Sequence, residues 1–168
     1  MENILIVCAD KILRQDIISV LSKELGFLYA DVDEILDYAI LNNSSIALID
    51  ANNKLNELER SSITKALGFK NCVLGVSTEL FVSNDNFEMF KMPKVFVTLS
   101  KAHLIARSKW DTNKLEQELL MFDKIDAIIR QNCNIIIDKG VKSEEEVSID
   151  IVKGLDMGAN DYITKPFG

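Results

Sequence analysis

The chain has 168 residues, 48% of them hydrophobic, which is enough for one sizeable core and short for two complete domains. A net charge of −7 and a pI near 4.8 exclude the basic stripe expected of a nucleic-acid surface, and no apolar run reaches the length of a membrane span. Cys8, Cys72 and Cys133 are widely spaced with no Cys-x-x-Cys pair, which reads as free thiols in a reducing cytoplasm.

In chain order, Asn3 to Val7 is a short continuous apolar run, the pattern of a central strand covered on both faces. Leu13, Ile17, Leu21 and Leu25 then fall four apart on one helix face, and Gly26 stops that helix. Phe27 to Ala30 predicts a second strand. Asp31 or Asp33 caps a helix carrying Ile35, Leu36, Ala39 and Ile40. Ile46 to Ile49 predicts a third strand ending on Asp50, and a polar helix follows through about Ala66. Cys72 to Val76 predicts a fourth strand ending at Ser77 and Thr78. This alternation implies a parallel sheet. Further on, Phe87 to Pro93 has the composition of a degraded strand, and Val95 to Leu99 reads as another. A long helix runs from Asp111 or Thr112 to about Arg130, with Leu115, Leu119, Phe122, Ile125 and Ile129 on one side. Asn134 to Ile137 is a strand ending on Asp138. Ser143 and Glu146 form a capping box, whose helix carries Val147, Ile151, Val152 and Leu155 and ends at Gly158. Asp161 to Thr164 is the last strand and delivers Lys165 in front of Pro166. No glycine-rich phosphate loop, nucleophile elbow or metal-spaced cluster is present, and His103 has no ligand-spaced partner.

The closing run Gly154-Leu155-Asp156-Met157-Gly158-Ala159-Asn160-Asp161-Tyr162-Ile163-Thr164-Lys165-Pro166-Phe167 resembles the end of the receiver domain of bacterial response regulators. The resemblance is strong over the last 26 residues and weaker over about the first 78. It implies a flavodoxin-like, doubly wound parallel α/β sheet and a role in two-component signalling. Asp50 stands where the phosphoacceptor would be. Ser77, Tyr162 and Lys165 stand at the switch positions, and Asp10 with Asp50 would hold magnesium. No other catalytic residue is implied. The expected partners are a sensor kinase or other signalling protein and a second copy of the chain. No output domain is visible in this chain, and no direct nucleic-acid or membrane partner is expected.

Three departures modify that expectation. Cys8 and Ala9 stand where paired acids should follow the first strand, so a hard cation is short of oxygen ligands and magnesium binds weakly. Asp50 is followed by Ala51-Asn52-Asn53-Lys54, without a proline- and glycine-containing loop. Asp50 and Lys165 lie 115 positions apart, more than one receiver needs. The expected organisation is one atypical receiver-like domain over 1–168 with a segment inserted at about 80–140. The alternative is a degenerate receiver at 1–108 followed by a partial second one at 109–168. The expected function is a non-enzymatic receiver working through protein contacts, with weak or absent phosphorylation. The alternatives are a doubly wound, small-ligand-binding enzyme domain or a structural dimerisation domain.

Overall fold

The computed structural model describes residues 2–43, 51–107, 112–157 and 162–163. Its sheet is built outward from β1 (Ile4–Val7), whose four apolar residues are all buried. An uninterrupted apolar strand is stable only when both faces are covered and both edges paired. β1 meets this by pairing in parallel with β3 (Cys72–Val76) on one side and β4 (Lys94–Thr98) on the other. Ile4 lies opposite Val73, and Val7 opposite both Val76 and Phe96. β2 (Leu28–Asp31), β5 (Ile135–Asp138) and β6 (Tyr162–Ile163) complete the order β2-β3-β1-β4-β5-β6.

That order corrects the flavodoxin-like expectation. In the flavodoxin-like order 2-1-3-4-5, the first strand lies beside the second. Here β2 pairs with β3 instead, Leu28 opposite Cys72 and Asp31 opposite Gly75, so β3 separates β2 from β1. The chain makes this excursion through α2 (Val32–Asn42) and α3 (Ala51–Leu67), which pack on each other before β3 enters the sheet. Residues 46–50, predicted as a strand ending on Asp50, lie outside the described residues.

Alternation along the strands sends successive side chains to two cores. One holds Ile4, Ile6, Val95, Val97, Ile135 and Ile137 beneath α1 (Lys11–Leu25) and α7 (Glu144–Asp156). The other holds Leu5, Val7, Leu74, Val76 and Phe96, with Ile63 of α3 and Ile129 of α6 (Thr112–Gln131). Each fully buried Leu, Ile or Phe contributes about 1.5–3 kcal/mol relative to exposure. Two helix ends follow the sequence, whereas Asp31, expected to cap α2, stands at its N-cap with no side-chain capping bond, its oxygens being taken by Arg14 and Gln15. Gly26 closes α1 in the left-handed region at φ 69°, which glycine adopts without a Cβ penalty. Ser143 and Glu146 form the predicted capping box at α7.

Phe87 to Pro93 is not a strand. After the short α4 (Thr78–Val82), a 3₁₀ segment spans Ser83–Met89, with Asn84 and Asp85 both left-handed. Asn and Asp are the non-glycine residues most often found there. The segment folds Phe87 and Phe90 against Phe81, with ring centroids 5.9 and 6.0 Å away, so the aromatics serve the core rather than a ladder. No helix among the described residues is long and apolar enough to cross a membrane.

Candidate active site

Because the five longer strands are parallel, their carboxyl ends share one edge, the place where open α/β sheets hold ligands. That edge carries Cys8 and Asp10 after β1, Asp31 and Asp33 at β2, Ser77 after β3, Thr98 of β4, and Asp138 with Lys139 at β5.

Its most committed group is Arg14, in the first turns of α1. Arg14 Nε donates to Asp31 Oδ1 at 3.1 Å and Nη2 to Asp31 Oδ2 at 3.0 Å, while Nη1 donates to the Cys8 carbonyl at 2.9 Å. Both side chains of the pair are 2% exposed. Gln15 Nε2 adds a bond to Asp31 Oδ2 at 3.2 Å. Burial works against the guanidinium charge, but Asp31 outweighs it and holds the pKa above its ordinary value. Room for the arginine stem comes from Gly75 in β3. A Cβ there would stand 3.2 and 3.3 Å from Arg14 Cγ and Cδ and 3.3 Å from Ile18 Cδ1.

Asp33 sits in the first turn of α2. Its Oδ1 accepts the Ser77 N–H at 2.8 Å, and burial raises its carboxyl pKa against the opposing pull of Arg14 and Ser77. Ser77 Oγ accepts the Leu80 N–H at 3.1 Å and caps α4. On the other side of β1, Asp10 caps α1 by accepting the Leu13 N–H at 3.1 Å. Asp10 Oδ2 lies 3.0 Å from Nε2 of His103, on α5 (Lys101–Arg107). A carboxylate only accepts, so the proton in that contact belongs to the imidazole. Burial pushes the fully buried Cys8 thiol up to about 12, which removes it as a nucleophile at neutral pH.

The fold thus brings Asp10 and Ser77 to one edge. Tyr162 lies on β6, with three strands between it and β3, and its backbone pairs with Ile135 at the amino end of β5. Asp50 and Lys165 lie outside the described residues. Sequence reasoning read Asp31 and Asp33 only as caps, left His103 without a partner and passed over Arg14. The one available signal was an arginine and a glutamine inserted between Leu13 and Ile17 in a helix otherwise read by its apolar face.

A cavity of about 710 Å³ opens at the opposite edge, beside Phe87, Met92, Lys94 and Cys133. Three of its polar side chains, Lys94, Asn132 and Asn134, are already tied to backbone groups. Lys94 Nζ donates to the Phe90 and Met92 carbonyls, Asn134 Oδ1 accepts the Lys94 N–H, and Asn132 Nδ2 donates to the Ile128 carbonyl. The carboxyl edge is therefore the better candidate.

No family model and no curated protein matches the chain. Solved structures do. Shikimate kinase from Aquifex aeolicus superposes with a TM-score of 0.73 at 18% identity, covering 94% of this chain and 98% of that one. Shikimate kinase from Acinetobacter baumannii, in complex with shikimate, gives 0.74 at 17% identity, covering 94% of each chain. Dephospho-CoA kinase from Campylobacter jejuni gives 0.61 at 13% identity over 94% and 99% of the two chains. The fold is shared with these kinases, an α/β sheet with the core order 2-3-1-4-5.

This overturns the receiver resemblance and the reading of the chain as a two-component signalling module. It also corrects the expectation of a non-enzymatic protein, since the scaffold is shared with kinases. The misleading run sits at the carboxyl end, where only residues 162–163 of 158–168 are described.

Proposed function

We propose that this chain is a phosphotransferase acting on a small hydroxylated molecule seated at the carboxyl edge of β1, β2 and β3. The observation that carries the reading is the near full-length likeness to kinases of small molecules, shikimate and dephospho-CoA among them. The edge supplies chemistry suited to an acceptor. Asp33 is a carboxylate whose pKa burial has raised, and a general base works best as its pKa approaches the operating pH. The Ser77 N–H fixes its orientation, and Arg14 supplies positive charge nearby.

The donor side departs from the phosphate-binding motif G-x-x-x-x-G-K-[ST]. Counting from the residue after β1, Cys8, Leu13, Arg14 and Gln15 stand at the four defined positions. Without the glycines the backbone cannot wrap phosphates closely, and Gln15 offers magnesium no hydroxyl. Asp10, the expected magnesium ligand, is committed to the Leu13 N–H and His103. In this conformation the residues do not fit a nucleotide's phosphates or their metal ion.

The test is phosphoryl transfer from magnesium–ATP to shikimate, dephospho-CoA and a panel of small hydroxy acids and polyols, with products followed by phosphorus NMR and mass spectrometry. A phosphorylated product is expected, slow in the wild type and reduced about 100-fold or more in Asp33→Asn, as for loss of a general base. If no acceptor is phosphorylated and none shifts the melting temperature, the reading fails.

A further inference from the structure

The cavity at the amino edge of the sheet takes no part in the proposed transfer, yet it is large. Its volume of about 710 Å³ lies within the roughly 300–1,000 Å³ of pockets that hold small molecules. Its walls are held in place. Phe90 lines it, is 1% exposed and stacks on Phe81 with ring centroids 6.0 Å apart. Asn134 Oδ1 accepts the Lys94 N–H at 3.0 Å, and the Asn134 N–H donates to the Lys94 carbonyl at 2.9 Å, which ties the starts of β4 and β5 together.

The lining offers three kinds of surface. Phe87, Met92 and Pro93 form an apolar wall. Lys94 and Asn134 hold donors to spare. An ammonium group carries three N–H donors, and Lys94 gives two of them, to the Phe90 and Met92 carbonyls at 3.1 and 3.4 Å. Asn134 Nδ2 makes no hydrogen bond among the described residues. At the exposed rim stand Glu2, Glu88 and Lys91, none of them ion-paired among the described residues. Glu2 and Glu88 thus balance Lys91 and Lys94, and the lining has no net charge. A simple anion meets the two carboxylates and a simple cation the two lysines. A molecule carrying both charges is complementary to both.

We infer that this cavity binds a small amphipathic zwitterion, a free α-amino acid with an apolar side chain. Its carboxylate takes the spare donors of Lys94 and Asn134, its ammonium group faces Glu2 and Glu88, and its side chain lies against Phe87 and Met92. The inference rests on the amino edge alone and is independent of the phosphotransferase reading.

L-Phenylalanine, 3-phenylpropionate and phenethylamine share one apolar group and differ only in which charges they carry. Each is titrated into the wild type, Lys94→Met and the double variant Glu2→Gln, Glu88→Gln, with backbone amide NMR shifts locating the binding and melting curves reporting folding. Phenylalanine is expected to shift amides within 87–94 and 131–134. Each singly charged probe should bind the wild type at least about tenfold more weakly, through loss of one charge-assisted hydrogen bond. The double variant, at two exposed positions, should weaken phenylalanine by a similar factor without weakening phenylpropionate. Lys94→Met should weaken both carboxylates and spare phenethylamine. Should Lys94→Met fail to fold, the double variant decides. No shift in those segments up to the solubility limit of phenylalanine overturns the site. Equal binding of the three probes, or a double variant that binds phenylalanine as the wild type does, overturns the zwitterion.

Discussion

Arg14 and Asp31 illustrate how much one buried pair commits the residues around it. Two parallel hydrogen bonds, a third to a backbone carbonyl and a glycine opposite are all needed before a guanidinium can sit at 2% exposure. Removing one partner is therefore far worse than removing both. Asp31→Asn leaves the charge of Arg14 uncompensated and is expected to cost roughly 3–5 kcal/mol in urea unfolding. The double variant Arg14→Met, Asp31→Leu should recover most of that. A single-variant loss below about 1 kcal/mol, the range of exposed pairs, would show that the pair is solvated in solution. Beyond the polar residues set between Leu13 and Ile17, the pairing was not legible in the sequence. Arg14 and Asp31 are 17 positions apart, and one arginine in an amphipathic helix looks like surface charge until the topology sets β2 beyond β3.

Secondary elements were more readable than their arrangement, and for a physical reason. Local periodicity decides whether Leu13 to Leu25 is a helix and whether Ile4 to Val7 is a buried strand, because it records which side chains share a face. It does not record which buried strand lies beside which. The orders 2-1-3 and 2-3-1 demand the same alternation of apolar strands and amphipathic helices, so the choice between them was hidden. Capping is the local signal that carried over best. In α7 the Glu146 N–H donates to Ser143 Oγ at 3.2 Å, and the Ser143 N–H returns a bond to Glu146 Oε1 at 3.4 Å. Val147 and Ile151 then pack α7 into the core beneath α1. Ser143→Ala should cost about 1 kcal/mol, within the range of roughly 0.5–2 for lost caps, and Ser143→Asp should be close to neutral. Equal chemical-denaturation midpoints for wild type and Ser143→Ala would mean that packing alone sets the start of α7.

Burial holds all three thiols of the whole molecule above their ordinary pKa, Cys72 included. Burial pushes Cys8 and Cys133 each up to about 12, against an ordinary 9.0. A pKa raised on folding means the unfolded chain loses these protons first. The contribution to stability is thus complete below pH 9 and is lost progressively as pH rises from 9 toward 12. Urea unfolding at successive alkaline pH values should show that decline, and the variant Cys8→Ala, Cys133→Ala should show a shallower one. Parallel slopes would assign the alkaline loss to other groups.

The central position of β1 also governs how the chain can acquire its shape. Its two neighbours begin at Cys72 and Lys94, so during synthesis β1 emerges as an apolar strand with no partner until at least 64 further residues have followed. β2 is in the same position, since its neighbour is also β3. Pairings at such sequence distances are slow to close and leave apolar edges exposed meanwhile. The arrival of β3 brings β1 and β2 into register together, which makes Cys72 to Val76 the segment on which assembly waits.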